Sequence, residues 1–264
     1  MSKSIFSIFF LLTLFSCQEE KPKTIVKKEI EKVAKIIPSK PVYNLISDAT
    51  VVARLTAFGK ENPETIVDVY TSKGKIRVKL YKDTPLHRAN FILLVKGGYF
   101  KHALFSRVAK KFMAQFGGSY DDLQRNIQDT IGSFTIPSEM SHHHFHKKGA
   151  LAAARSYNNN PDKRSSSDEF YFVEGQKFSD LTLDHYAYEN NYKFTATQRK
   201  YYENNVGAAH IDGEHTVFGQ ITQGFHVGQI IEGYNIVPKL THVPTDSQEW
   251  PTTDIYVDST IIIK

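Results

Sequence analysis

From residue 65 onward the apolar side chains fall at every second position, and this change of period constrains the fold more than any other feature of the chain. Residues 65–70 and 75–80 alternate on either side of Ser72-Lys73-Gly74, which reads as a hairpin. Further short strands are expected at 104–108, 112–115, 134–136, 150–154, 170–173, 217–221 and 254–263. Helices are few. Thr84-Pro85 opens one, with proline tolerated in its first turn, Ala89, Phe91, Ile92 and Val95 on its apolar face, and Gly97-Gly98 at its end. Two more are expected at 197–203 and 227–231. Ser47-Asp48 can cap another, carrying Val51, Val52, Leu55 and Phe58, with Gly59 as its stop and Pro63 beyond. This pattern predicts a mainly β protein, a closed antiparallel barrel capped by helices, which leaves no edge strand to protect. There is no internal repeat, no βαβ rhythm and no phosphate-binding glycine loop.

The chain has 264 residues, 41% apolar and 23% charged, which is enough to fill a core and excludes a wholly disordered chain. One cysteine, Cys17, excludes an intramolecular disulfide and a zinc–thiolate site. Residues 5–16 are almost entirely apolar behind Lys3, too short for a membrane-spanning helix and suited to a secretory signal. The run ends Leu14-Phe15-Ser16-Cys17, which resembles the bacterial lipobox. The expectation is a signal peptide at 1–16, a lipidated Cys17 with a Lys-rich tether at 17–45, a helix within 46–63 packed on the main domain, and that domain at 64–264 with an insertion at about 184–206. The net charge of +5 sits in the tether: with Lys3, Glu19, Glu20 and the seven lysines and two glutamates of 21–40 set aside, residues 41–264 carry +1. A near-neutral body argues against nucleic acid as a partner. The lysines of the tether could meet anionic lipid headgroups or simply be solvated.

Five motifs in order carry a family resemblance. Phe105-Ser106-Arg107-Val108 is followed by Phe112-Met113-Ala114-Gln115-Phe116-Gly117-Gly118. Residues 67–80 precede Thr84-Pro85 and Asn90-Phe91. Then come Lys148-Gly149-Ala150-Leu151-Ala152-Ala153-Ala154-Arg155, Asp168-Glu169-Phe170-Tyr171-Phe172, and Ile211-Asp212-Gly213-Glu214-His215-Thr216-Val217-Phe218-Gly219. This series resembles the cyclophilins over roughly 65–264. The resemblance implies an eight-stranded barrel with two capping helices, here with an N-terminal helix and inserted loops, and a peptidyl-prolyl cis/trans isomerase.

The uncatalysed reaction is slow because the amide C–N bond has partial double-bond character. No covalent bond breaks, so no nucleophile, metal or cofactor is needed. An apolar pocket must hold the proline ring, and a fixed donor must stabilise the twisted amide nitrogen. The resemblance makes Arg107 that donor and Gln115 the group that orients it. It makes Phe112, Met113, Tyr171 and Ile211 the proline pocket, His215 its edge, and Ala154 and Arg155 contacts for the substrate backbone. His210 stands where many members carry the tryptophan that binds cyclosporin, so cyclosporin binding is expected to be weak. Glu169 replaces a substrate-contacting glutamine and is expected to pair with Arg107 and slow turnover. Phe116 is an extra residue before the two glycines and is expected to distort their turn.

His142, His143, His144 and His146 lie close together in sequence, but directed geometry is required for a metal site. They read as a solvated loop with no metal. The leading expectation is a monomeric isomerase of proline-containing polypeptides, lipid-anchored in the bacterial envelope. By resemblance to bacterial lipoproteins, Gln18 after the cysteine implies the outer membrane, facing the periplasm or the cell surface. The competing readings are a catalytically weak or inactive proline-peptide-binding module, a chaperone or assembly factor, and a structural envelope protein.

Overall fold

The computed structural model describes residues 45–226, 229–231 and 235–263. The signal segment, Cys17 and all but the last residue of the tether lie outside the described residues. Helix α1 (Val51–Glu61) comes first, followed by β1 (Ile66–Thr71), β2 (Gly74–Leu80), α2 (Pro85–Lys96), β3 (Phe105–Ala109) and β4 (Met113–Gly117). Then come α3 (Asp122–Ile131), β5 (Thr135–Ile136), β6 (Ala150–Ala153), β7 (Ser165–Ser166), β8 (Glu169–Val173), α4 (Asp180–Glu189) and α5 (Ala196–Asn204). A 3₁₀ turn at Ala209–Ile211, β9 (Val217–His226), β10 (Gln229–Ile231), α6 (Ile236–Thr241) and β11 (Val257–Ile263) complete the order.

Eight strands form one antiparallel path, β11-β1-β2-β9-β6-β8-β4-β3, with β10 paired to β9 and a separate β5–β7 pair. The path curls until its ends meet. Leu104 bridges Tyr256, the Phe105 N–H donates to the Ile255 carbonyl at 2.9 Å, and the Val257 N–H donates to the Ala103 carbonyl at 2.8 Å. These contacts lie at the starts of β3 and β11. Among the described residues the sheet is therefore a curled path joined at one bridge, without a continuous closing ladder.

Alternation along each strand separates two apolar layers, because successive side chains point to opposite faces. Leu151, Ala153, Phe170, Phe172, Ala114 and Phe116 join the main core, to which α2 adds Phe91, Ile92, Leu94 and Val95, and α6 adds Ile236, Val237 and Leu240. The intervening residues Ala150, Ala152, Tyr171, Val173 and Met113 form a second cluster with Ala154, Ala208, Ile211 and Val217. The candidate site is built on this second face.

Helix α1 buries Val51 and Leu55 against Leu86, Ala89, Phe134 and Ile136. Arg88 on α2 donates to the carbonyls of Gly59 and Asn62 at 2.9 and 2.7 Å, so a cation satisfies the carboxyl end of α1. Two details differ from expectation. Gly59 does not stop the helix: a Cβ there would lie 3.0 Å from that of Ala89, so it permits close helix packing instead. Val52 faces solvent, while Asp48 reaches across to the Thr135 N–H and hydroxyl at 2.6 and 2.9 Å.

Part of the segment expected to be helical at 227–231 is strand: Gln229–Ile231 pairs with β9, and Val227 and Gly228 lie outside the described residues. Helices α3, α4 and α6 were not expected. Helix α4 buries only Leu183, too little for an apolar period to emerge, and α6 is only six residues long, whereas α3 carries Leu123, Ile127 and Ile131 at every fourth position against the main core, a signal the sequence did offer. Helices α3 and α4 are started by side-chain caps, Asp121 and Ser179. Phe116 keeps β4 in regular register with β8, although the β3–β4 ladder shifts register opposite it between Phe105 and Arg107; it is fully buried and stacks on Phe172 with ring centroids 5.0 Å apart. Beyond it Gly117 takes φ 95°, where an added Cβ would meet the Asp168 carbonyl at 2.1 Å.

Candidate active site

A row of directly opposed residues crosses the sheet: Arg107, Gln115, Tyr171, Ala152 and Val217. Opposed residues share a face, so the strand register alone sets Arg107 beside Gln115 and Gln115 beside Tyr171. Above this row lies a cavity of about 250 Å³. Arg107, Gln115 and Glu169 line one part of it, with Phe112 and Met113. Tyr171, Ala154, Arg155, His210, Ile211 and His215 complete the wall. All eleven residues singled out in the sequence thus surround one cavity, joined by Tyr157, which was not anticipated.

The apolar part is well packed. Met113, Tyr171 and Ile211 are buried, Phe112 packs against them, and the His210 ring lies 4.6 Å from that of Phe112. Burial pushes the His210 pKa down to about 4, with nearby His146 adding to the effect, so the ring is neutral at pH 7. Its Nδ1 atom is buried without a hydrogen-bond partner. The inserted helices support this wall: Asn190 donates to the His210 carbonyl at 2.9 Å, and the Phe178 and Tyr186 rings lie within about 6 Å of the imidazole.

The polar rim differs from expectation in three respects. Gln115 does not orient Arg107; its amide donates to Glu169 Oε1 at 3.3 Å. Glu169 forms no ion pair with Arg107 among the described residues. Burial raises the Glu169 carboxyl above the usual range, the neighbouring Asp168 adds to the rise, and the Gln115 and Tyr120 hydrogen bonds offset part of it. Arg107 instead donates its Nε–H to Glu249 Oε2 at 2.7 Å and lies over the Phe112 ring, 5.8 Å from its centroid. Glu249 is 142 positions away in sequence, and no local signal marks it.

His215 is held at both nitrogens, with Nδ1 3.1 Å from the Ala153 carbonyl and Nε2 2.8 Å from the Tyr157 hydroxyl. Burial, reinforced by His146, drives its pKa down to about 3. The neutral ring donates from Nδ1 and accepts the Tyr157 proton at Nε2. Arg155 stacks 4.0 Å above the Tyr157 ring centroid and is anchored to Glu214 through its Nε–H and a terminal amino group. Tyr157, an aromatic within a run of Ser and Asn, was the available signal for this rim.

The histidine segment is not uniformly solvated. His142 and His143 are exposed, but His144 stacks on Tyr81 and meets Asp83 at 2.7 Å, and His146 is 1% exposed. His146 Nδ1 lies 2.7 Å from Asp212 and its Nε2 3.0 Å from the Tyr171 hydroxyl. Among the described residues no group of three or more His, Cys, Asp or Glu is placed to hold a metal ion.

Residues 66–262 match the family "Cyclophilin type peptidyl-prolyl cis-trans isomerase/CLD". A protein of Staphylococcus haemolyticus assigned as a peptidyl-prolyl cis-trans isomerase is 26% identical over 214 residues, covering 75% of this chain and 91% of its own. One of Staphylococcus saprophyticus with the same assignment is 27% identical over 197 residues, covering 74% and 90%. The crystal structure of a cyclophilin-type isomerase of Cryptosporidium parvum superposes with a TM-score of 0.51 at 18% identity, covering 76% of this chain and 98% of its own. A structure of that protein in the presence of the dipeptide Ala-Pro gives 0.50 at 19% identity, covering 75% and 99%. The match across three quarters of the chain, on a sheet that gathers the expected residues around one cavity, shows that the chain belongs to the cyclophilin-type peptidyl-prolyl cis-trans isomerases.

Proposed function

We propose that this isomerase acts on proline-containing polypeptides of the bacterial envelope, tethered there through lipidated Cys17, and that Arg107 is its catalytic group. The observation that carries the Arg107 assignment is its place: a guanidinium on the rim of a cavity of about 250 Å³ whose wall is Phe112, Met113, Tyr171 and Ile211. A proline ring entering that wall leaves water and gains apolar contact. Rotation about the prolyl amide frees the nitrogen lone pair, and a guanidinium, always charged and rich in donors, can meet it. This is electrostatic stabilisation that grows towards the transition state, so it raises the rate and not merely the affinity. His215 and His210, both neutral at pH 7, complete the pocket without adding charge.

The anchor rests on Leu14-Phe15-Ser16-Cys17 behind the apolar run, and the outer-membrane assignment on Gln18. The test of the reaction is isomerisation of a proline-containing peptide by protein beginning near Ile46, with and without Arg107→Ala. The expected result is turnover that falls about 100-fold or more in the variant, as for loss of a dedicated transition-state donor. Peptide binding without turnover in the wild type would leave a proline-peptide-binding module instead. Metabolic labelling with a fatty-acid analogue tests the anchor, and equal labelling of Cys17→Ser would refute it.

A further inference from the structure

We propose that Glu249 is the positioning residue for Arg107, holding the guanidinium by its Nε–H so that its terminal amino groups stay free for substrate. This rests on the assignment of Arg107 above. Gln115 is turned to Glu169 and does not hold Arg107, so the strand neighbour leaves that task open. Glu249 Oε2 accepts the Nε–H at 2.7 Å, and the guanidinium makes no other hydrogen bond among the described residues. One edge of the fork is therefore fixed while the other remains available. The face of the fork lies over Phe112, which restricts it further.

The chain presents Glu249 at a cost. Its φ is +64°, a left-handed conformation that residues with a Cβ rarely adopt. Hydrogen bonds on both sides hold it there. The Val108 N–H donates to the Glu249 carbonyl at 2.8 Å, tying the loop to β3 one residue from Arg107. Asp246 accepts the N–H of Gln248 and of Trp250 at 2.8 and 2.9 Å, and its own N–H donates to the Trp250 carbonyl at 2.9 Å. The Trp250 ring packs edge-on against Tyr120, centroids 5.1 Å apart. Stability does not account for this arrangement, because the two side chains are 46% and 43% exposed and ion pairs so open contribute little. Strain held by a rigid loop at the rim of a cavity fits preorganisation of Arg107.

The test compares Glu249→Ala and Glu249→Gln, each in the wild type and in Arg107→Lys, whose ammonium has no guanidinium Nε–H edge to hold. Glu249→Ala is expected to lower kcat about tenfold with KM within about twofold, since positioning acts on the transition state. Glu249→Gln, whose amide oxygen still accepts, should recover most of the rate. In the Arg107→Lys background Glu249→Ala should have no further effect, and thermal melting should be unchanged throughout. An unaltered or increased rate in Glu249→Ala, or equal fractional losses in both backgrounds, would overturn the proposal while leaving the isomerase assignment intact. A folded wild type without turnover would remove both.

Discussion

The Tyr171 hydroxyl lies 3.0 Å from Nε2 of His146, and Nδ1 of the same ring lies 2.7 Å from Asp212 Oδ1. Asp212 also accepts the His146 N–H at 2.9 Å and, at Oδ2, the Tyr202 hydroxyl at 2.7 Å. A buried carboxylate is thus surrounded by donors, and the chain ends on the residue that forms the base of the pocket. The tyrosine at this position is explained by it: a hydroxyl beneath the cavity has a partner, so it is not a buried orphan.

Truncating His146 removes two of the donors' attachments at once. His146→Ala is expected to destabilise the fold by about 2–4 kcal/mol, because a buried carboxylate loses one of its three donors and a buried tyrosine hydroxyl loses its acceptor. Tyr171→Phe should cost only about 1 kcal/mol. Urea unfolding of both variants checks the order; equal costs would contradict it.

Acid should weaken the fold through the pocket itself. The folded pKa values of His215 and His210 are about 3 and about 4, against 6.5 when unfolded. Below 6.5 the unfolded chain takes up protons that the folded one refuses, so stability falls as pH drops through that window towards the folded values. Between pH 7 and pH 5 the loss should be roughly 1–2 kcal/mol for each group. His215→Gln should flatten this slope, and denaturant midpoints at the two pH values would read it.

Glu169 gives the opposite sign. Burial, with Asp168 beside it, raises its folded pKa above 4.5, so the folded state binds the proton more readily than the unfolded one. Ionisation as pH rises through the folded value therefore costs stability. Glu169→Gln should be more stable than wild type at pH 7, with the difference shrinking as pH falls towards 4.5. Its turnover should match that of wild type, since Arg107 is paired with Glu249 and not with Glu169. Parallel melting curves at pH 7 and pH 5 and one rate assay decide this.

Helix α1 should behave as part of the domain. Leu55 is fully buried among Leu86, Ala89, Phe134 and Ile136. Leu55→Ala is expected to cost about 2–4 kcal/mol, by loss of apolar contact and the cavity left behind. A calorimetric scan showing an unchanged melting temperature would mean that α1 is dispensable.

Much of the architecture was legible because period-two alternation is a local property. It places Leu151, Phe170 and Phe172 on one face and Ala152 and Tyr171 on the other without knowledge of the partner strands. The resemblance of five motifs to the cyclophilins marked eleven of the residues that surround the cavity, and strand register brings Arg107, Gln115 and Tyr171 among them side by side. The helix of 180–189 was not legible, since it buries one apolar side chain and owes its start to a single cap, while that of 122–131 carried its signal in Leu123, Ile127 and Ile131, one turn apart in an otherwise polar segment.

What only the tertiary structure decided is which polar group meets which. From sequence, Gln115 and Glu169 both belonged to Arg107; in the fold they bond to one another and Glu249 takes the arginine. The histidine segment read as solvated because four nearby histidines have no apolar pattern, yet His146 alone turns inward to Asp212. Apolar burial is additive and non-directional, so composition and period foretell it. A hydrogen bond needs a donor and an acceptor within about 3 Å and aligned, and segments as far apart as Arg107 and Glu249 reach that distance only once the tertiary fold has brought their loops and strands together.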